Sequence, residues 1–110
     1  MPRPKISTTS YRENLLLALK DPAEAALYLN ACLEDTDVRL FLLALRDVAD
    51  ARGGIGVLAR ETRLNRESLY RMLSKSGNPS VDSLATVLRA CGLRLTVQSS
   101  QPPRRRKRAA

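Results

Sequence analysis

Apolar positions recur at helical spacing along most of the chain. Ala25, Tyr28, Leu29, Cys32 and Leu33 follow the i, i+3, i+4, i+7, i+8 rule of an amphipathic helix. Ahead of them, Asp21 can cap, and Pro22 sits at a first helical position where an N–H is not needed. This predicts a helix ending near Asp35-Thr36. A shorter helix is expected over residues 11–20, with Tyr11, Leu15, Ala18 and Leu19 on one side. Asp37 caps a third stripe formed by Val38, Phe41, Leu42, Leu45, Val48 and Ala49, and Gly53-Gly54 stops it. Leu40 and Leu43 are apolar but lie off that face, a surplus suited to a second surface, internal or external.

A short helix over residues 55–62 follows, then a tight turn at Arg63-Leu64-Asn65. Asn65 caps another helix running from Arg66 to about Ser74, which buries Leu69, Met72 and Leu73. Gly77-Asn78-Pro79 is a turn, and Ser80 caps a last helix with Leu84, Val87, Leu88 and Cys91 inward and Gly92 at its end. Residues 93–98 alternate Leu93, Leu95 and Val97 with Arg94, Thr96 and Gln98, the period of a half-buried strand. A lone strand leaves its backbone groups unpaired, so it should pair with a second copy or with a partner's sheet. The expected architecture is all-α, a bundle of five to six helices with one short C-terminal β-strand. Residues 1–10 read as a flexible arm, 11–98 as the folded unit, and 99–110 as a disordered basic tail.

Charge adds a division that hydropathy does not show. The chain of 110 residues carries a net +8. Residues 12–50 hold four basic and eight acidic side chains, net −4, whereas residues 51–98 are net +5 and the last twelve add +5 more. A basic half and tail favour an anionic partner, nucleic acid first, and the acidic half suggests a different, basic partner. There is no histidine, which removes the usual general base, the Ser-His and Cys-His pairs and most zinc sites. Binding rather than catalysis is expected, with no cofactor and no metal. Cys32 and Cys91 sit at apolar-periodic positions and read as reduced core cysteines of a cytoplasmic protein. No apolar run approaches the ~20 residues of a membrane span, and no signal-peptide core precedes the first helix.

The helix, turn and helix over residues 55–74 have helix-turn-helix spacing, with small Ala59 where two helices pack closely. In that arrangement the second helix enters the major groove of DNA. Its outer face carries Arg66, Glu67, Tyr70 and Arg71, with Asn65 and Ser68 as small hydrogen-bonding groups at its start. Arg66 and Arg71 can present a bidentate fork to guanine or grip phosphate. Tyr70 can pack on sugar or a thymine methyl. Arg60 and Arg63 flank the turn and suit backbone contacts, as do Lys75, Asn78 and Ser80 beyond the helix.

The run LARETRLNRESLYRMLSKSGNPSVDSLATVLRACGL resembles the Cro/repressor-type helix-turn-helix of bacterial regulators. The upstream run LKDPAEAALYLNACLEDTDVRLFLLALRDVADARGG resembles the addiction-module antidotes, the HigA-like antitoxins. Many such motifs place Gly in the inter-helix turn where this chain has Arg63, which must then turn left-handed or alter the turn. The resemblance implies a toxin partner of the RelE/ParE-like superfamily, binding to double-stranded operator DNA, autorepression and a homodimer. The alternative is a stand-alone regulator of phage or plasmid type, binding DNA through the same helix without a toxin.

Overall fold

The computed structural model describes residues 8–34 and 37–101. It contains six helices in chain order: α1 (Thr8–Leu19), α2 (Pro22–Glu34), α3 (Val38–Ala51), α4 (Ile55–Thr62), α5 (Arg66–Met72) and α6 (Val81–Ala90). The basic run 104–108, most of the N-terminal arm and residues 35–36, where the second helix is expected to end, lie outside the described residues. Helix α1 begins at Thr8, three residues before the Tyr11 start expected from its apolar spacing.

Local chemistry sets the ends of the helices. Asp21 Oδ1 accepts from the Ala23 N–H at 3.0 Å and starts α2. Asp37 accepts from Arg39 N–H to start α3, Asn65 from Ser68 N–H to start α5, and Ser80 from Ser83 N–H to start α6. The C-termini of α3 and α6 close in the same way. Gly53 N–H donates to Asp50 O and Gly54 N–H to Ala49 O; Gly92 N–H donates to Arg89 O and Leu93 N–H to Leu88 O. These paired bonds define a Schellman cap, whose left-handed residue is Gly53 (φ +107°) in one case and Gly92 (φ +78°) in the other.

Helix α3 is the hub. It packs on α1, α2 and α4, and α4 in turn packs on α5 and α6. Leu42, Leu45 and Val48 of α3 are fully buried, together with Leu69 and Leu73 around α5 and Val87 and Cys91 around α6. One core therefore runs from the first helix pair to the last. Neither Cys32 nor Cys91 is in a disulfide; Cys91 is buried and Cys32 half-buried against the core.

Several positions expected to face inward do not. Tyr11, Leu33 and Val38 are exposed, at 66 %, 53 % and 64 % of their surface, and Ala18 is exposed too. Each lies near a helix end or in a helix packed on one side only, where the stripe outruns its neighbours. Residues 93–98 form no strand, and no strand occurs among the described residues. Leu93 is committed to the α6 cap, and the rest of the segment has no neighbouring strand among the described residues.

Candidate nucleic-acid interface

Two short helices and a three-residue link build the site. Helix α4 starts at Gly54 without a side-chain cap and ends at Arg63, which adopts φ 60°, ψ 19°. Of the two possibilities for this turn, the left-handed Arg63 is the one adopted. Thr62 holds it from below: its hydroxyl donates to Leu58 O at 2.7 Å and accepts from Leu64 N–H at 3.3 Å. Sequence reading did not single out Thr62, although a threonine one residue before a left-handed position is the available signal. Leu64 is half-buried against the core, and Leu69 and Leu73 anchor α5. Those contacts fix which face of α5 points outward.

The residues proposed to meet DNA lie on the outside. Arg60, Arg63, Asn65, Arg66, Glu67, Tyr70, Arg71, Lys75 and Asn78 are exposed, and Ser68 is half-buried. Asn65 Oδ1 accepts the capping bond from Ser68 N–H, and its amide NH2 is the group left to donate to a partner. The others sort into two flanks of α5. On one side Arg60, Arg66 and Tyr70 border a groove of about 650 Å³ together with the glycine-rich start of α4. On the other, Ser68, Arg71 and Asn78 border a groove of about 370 Å³ with Ser76, Ser80 and Ser83. Ser76 and Ser83 were not anticipated. At 100° per residue Glu67 lies between these flanks, in the middle of the exposed face. No described structure gathers Lys75 or Arg63 with either groove.

Tyr70 is more engaged than its position implied. Its ring lies 5.1 Å from the guanidinium carbon of Arg46 and 5.8 Å from that of Arg66, both within cation–π range. Arg46 belongs to α3, and nothing in the local pattern connects it to α5.

The acidic half is partly neutralised within the chain. Arg12 of α1 forms ion pairs with Asp47 at 3.1 Å and Asp50 at 2.7 Å, both on α3. Tyr28 of α2 donates to the other Asp47 oxygen at 2.9 Å. Burial first, then this bond, push the Tyr28 hydroxyl well above the usual phenol range. The hydrogen bond to Asp47 likewise raises Arg12. Asp37 is held below the usual carboxylate range by the Arg39 side chain. Of the acidic residues on the first two helices, Glu13, Glu24 and Glu34 remain exposed. The same half exposes the large apolar side chains Tyr11, Leu17, Leu27, Leu33, Val38 and Leu40; Tyr70, Val81, Leu95 and Val97 are exposed in the other half.

These features define an all-helical protein with one exposed cationic helix and, at the opposite end of the sequence, an acidic and apolar surface. A family model described as "Probable addiction module antidote protein" matches residues 12–99. The chain belongs to that family, and an addiction-module antidote implies a toxin partner. An uncharacterised protein of Haemophilus influenzae is 39 % identical over 83 residues, covering 76 % of this chain and 84 % of its own length. No solved structure matches. An antidote family points to a regulatory protein rather than an enzyme. Among the described residues no helix is long and apolar enough to cross a membrane.

Proposed function

We propose that this chain is the HigA-like antitoxin of a type II toxin–antitoxin module, acting in the cytoplasm as a homodimer. It neutralises a RelE/ParE-like, HigB-type toxin by direct binding and represses its own operon. Helices α4 and α5 serve as a Cro/repressor-type helix-turn-helix, with α5 in the major groove. The observation that carries the DNA arm is the outward row of Arg66, Tyr70 and Arg71 on a helix locked by the buried Leu69 and Leu73. Arg66 and Arg71 suit guanine edges or phosphate, and Glu67 between them suits the amino group of cytosine. Arg60 and Arg63 stand by the turn for the backbone. The toxin arm is supported by the exposed apolar side chains and the glutamates of the first half. An enzyme that acts on RNA is normally basic and would complement them.

The test has two parts. The purified chain is titrated onto the DNA upstream of its own reading frame, with unrelated duplex as competitor. A specific shift is expected, and equal affinity for both duplexes would overturn the operator role. The chain is then co-expressed with the product of the reading frame adjoining its own. A complex that survives gel filtration is expected; two separate peaks would leave the stand-alone regulator as the better reading.

A further inference from the structure

Arg46 lies in the acidic half of the sequence, yet its guanidinium meets the same ring as Arg66. We infer that Arg46 is a positioning residue for DNA recognition: through the Tyr70 ring it holds Arg66 in place on the reading face of α5. The inference rests on the DNA-binding reading above and adds to it a residue outside the two helices of the motif.

The surroundings make the arrangement specific. The carboxylates nearest Arg46 in sequence, Asp47 and Asp50, are already bonded to Arg12 and Tyr28. The ion pairs among the described residues involve Arg12 and Arg39, and neither Arg46 nor Arg66 enters one. Their organised contact is the ring of Tyr70. A free arginine samples many rotamers, and ordering it on DNA costs entropy; an arginine already stacked loses less. Two guanidiniums around one ring also repel each other, and a phosphodiester entering the neighbouring groove on its Arg60, Arg66 and Tyr70 side would relieve that repulsion; the one carboxylate bordering the groove, Asp50, is paired with Arg12. The pair is thus ordered before an anion arrives and is stabilised when it does. Arg46 also joins α5 to the helix that carries the Arg12 and Tyr28 contacts.

The experiment uses the full chain and a duplex selected by the wild-type protein from a random pool. Arg46→Ala is expected to weaken binding about five- to tenfold, as loss of a cation–π contact at a partly exposed site allows. It should also relax base preference at the same position that Arg66→Ala relaxes. Tyr70→Leu should behave alike, whereas Arg46→Lys and Tyr70→Phe, which keep a cation and a ring, should preserve the base preference. Combining Arg46→Ala with Arg66→Ala should add little to Arg66→Ala alone. Unchanged binding by Arg46→Ala overturns the inference. So does a weakening uniform across sequences with a shallower salt dependence, which would mark a direct phosphate contact instead. A readout independent of DNA guards against a merely unfolded variant. In the free wild-type protein the δ-methylene protons of Arg46 and Arg66 should be ring-shifted, and the shift of Arg66 should diminish in Arg46→Ala. If those shifts are absent, the stack itself is wrong. If they are present but the wild type selects no sequence from the pool, the DNA-binding reading fails and takes this role of Arg46 with it.

Discussion

Arg63 holds a left-handed backbone conformation that a β-carbon disfavours, and the Thr62 hydroxyl stabilises the turn around it. Glycine would adopt it without that strain. Arg63→Gly should therefore raise stability by about 1 kcal/mol, read from denaturant melts. If Arg63 grips the DNA backbone, the same variant should lose operator affinity with a reduced salt slope, so stability and binding would move in opposite directions. Tyr28 offers a pH-dependent test. Its folded-state hydroxyl titrates above its ordinary value of 10.0, chiefly because it is buried and secondly because it donates to Asp47. The folded state keeps this proton where the unfolded state has released it. The stabilisation is complete below pH 10 and is lost as the pH rises toward the raised value. Tyr28→Phe should cost about 1 kcal/mol at neutral pH by removing the bond to Asp47. Its stability curve above pH 10 should then fall less steeply than that of the wild type.

At the scale of elements, the caps were legible and the long-range partners were not. Asp21, Asp37, Asn65 and Ser80 each announce a helix start, and each makes the expected backbone bond, because capping depends on neighbours two or three residues away. The glycine stops work for the same local reason. By contrast, Arg12 reaches Asp47 and Asp50 across 35 and 38 positions, and Arg46 reaches Tyr70 from another helix. Neither contact leaves a periodic trace. The outward face of α5 could be read because burial of Leu69 and Leu73 fixes it by spacing alone; which of its side chains were already engaged could not. Residues 93–98 fail for a related reason: alternation describes what a segment can pair with, and the described residues supply no such neighbour. On the proposed role of α5, Arg66→Ala and Arg71→Ala should each cost ~1–3 kcal/mol of operator binding if the side chain reads a base. Selection experiments on each variant should show one relaxed position, with the melting temperature of Arg71→Ala unchanged because that side chain is exposed.

Across the whole molecule, the net charge of +8 is a sum of unlike parts, and the fold keeps those parts on different helices. The segment of net −4 spans α1 to α3, where Arg12 neutralises two of its carboxylates internally and α1 and α2 expose both glutamates and leucines. The cationic face is on α5 and touches that segment through Arg46 and Asp50 of α3, whereas the exposed leucines and glutamates of α1 and α2 border neither of its grooves. Two partners could then bind at once, and damage to one surface should spare the other. Leu17 and Leu27 are the most informative targets, being 61 % and 65 % exposed and outside the buried core. Replacing both by Ser removes apolar contact area at a modest cost in helix propensity, about 0.5 kcal/mol per site. If α1 and α2 carry the toxin surface, the Leu17→Ser, Leu27→Ser double variant should bind its toxin partner about tenfold more weakly or worse. Its affinity for operator DNA should stay at the wild-type value. The Arg66→Ala, Arg71→Ala double variant should show the reverse. Calorimetry with the partner protein and a band-shift titration with operator DNA, run on both double variants, give the four values required. Wild-type partner affinity in the leucine variant would move the toxin surface elsewhere on the chain. A parallel loss of both affinities would mean that the two surfaces are one.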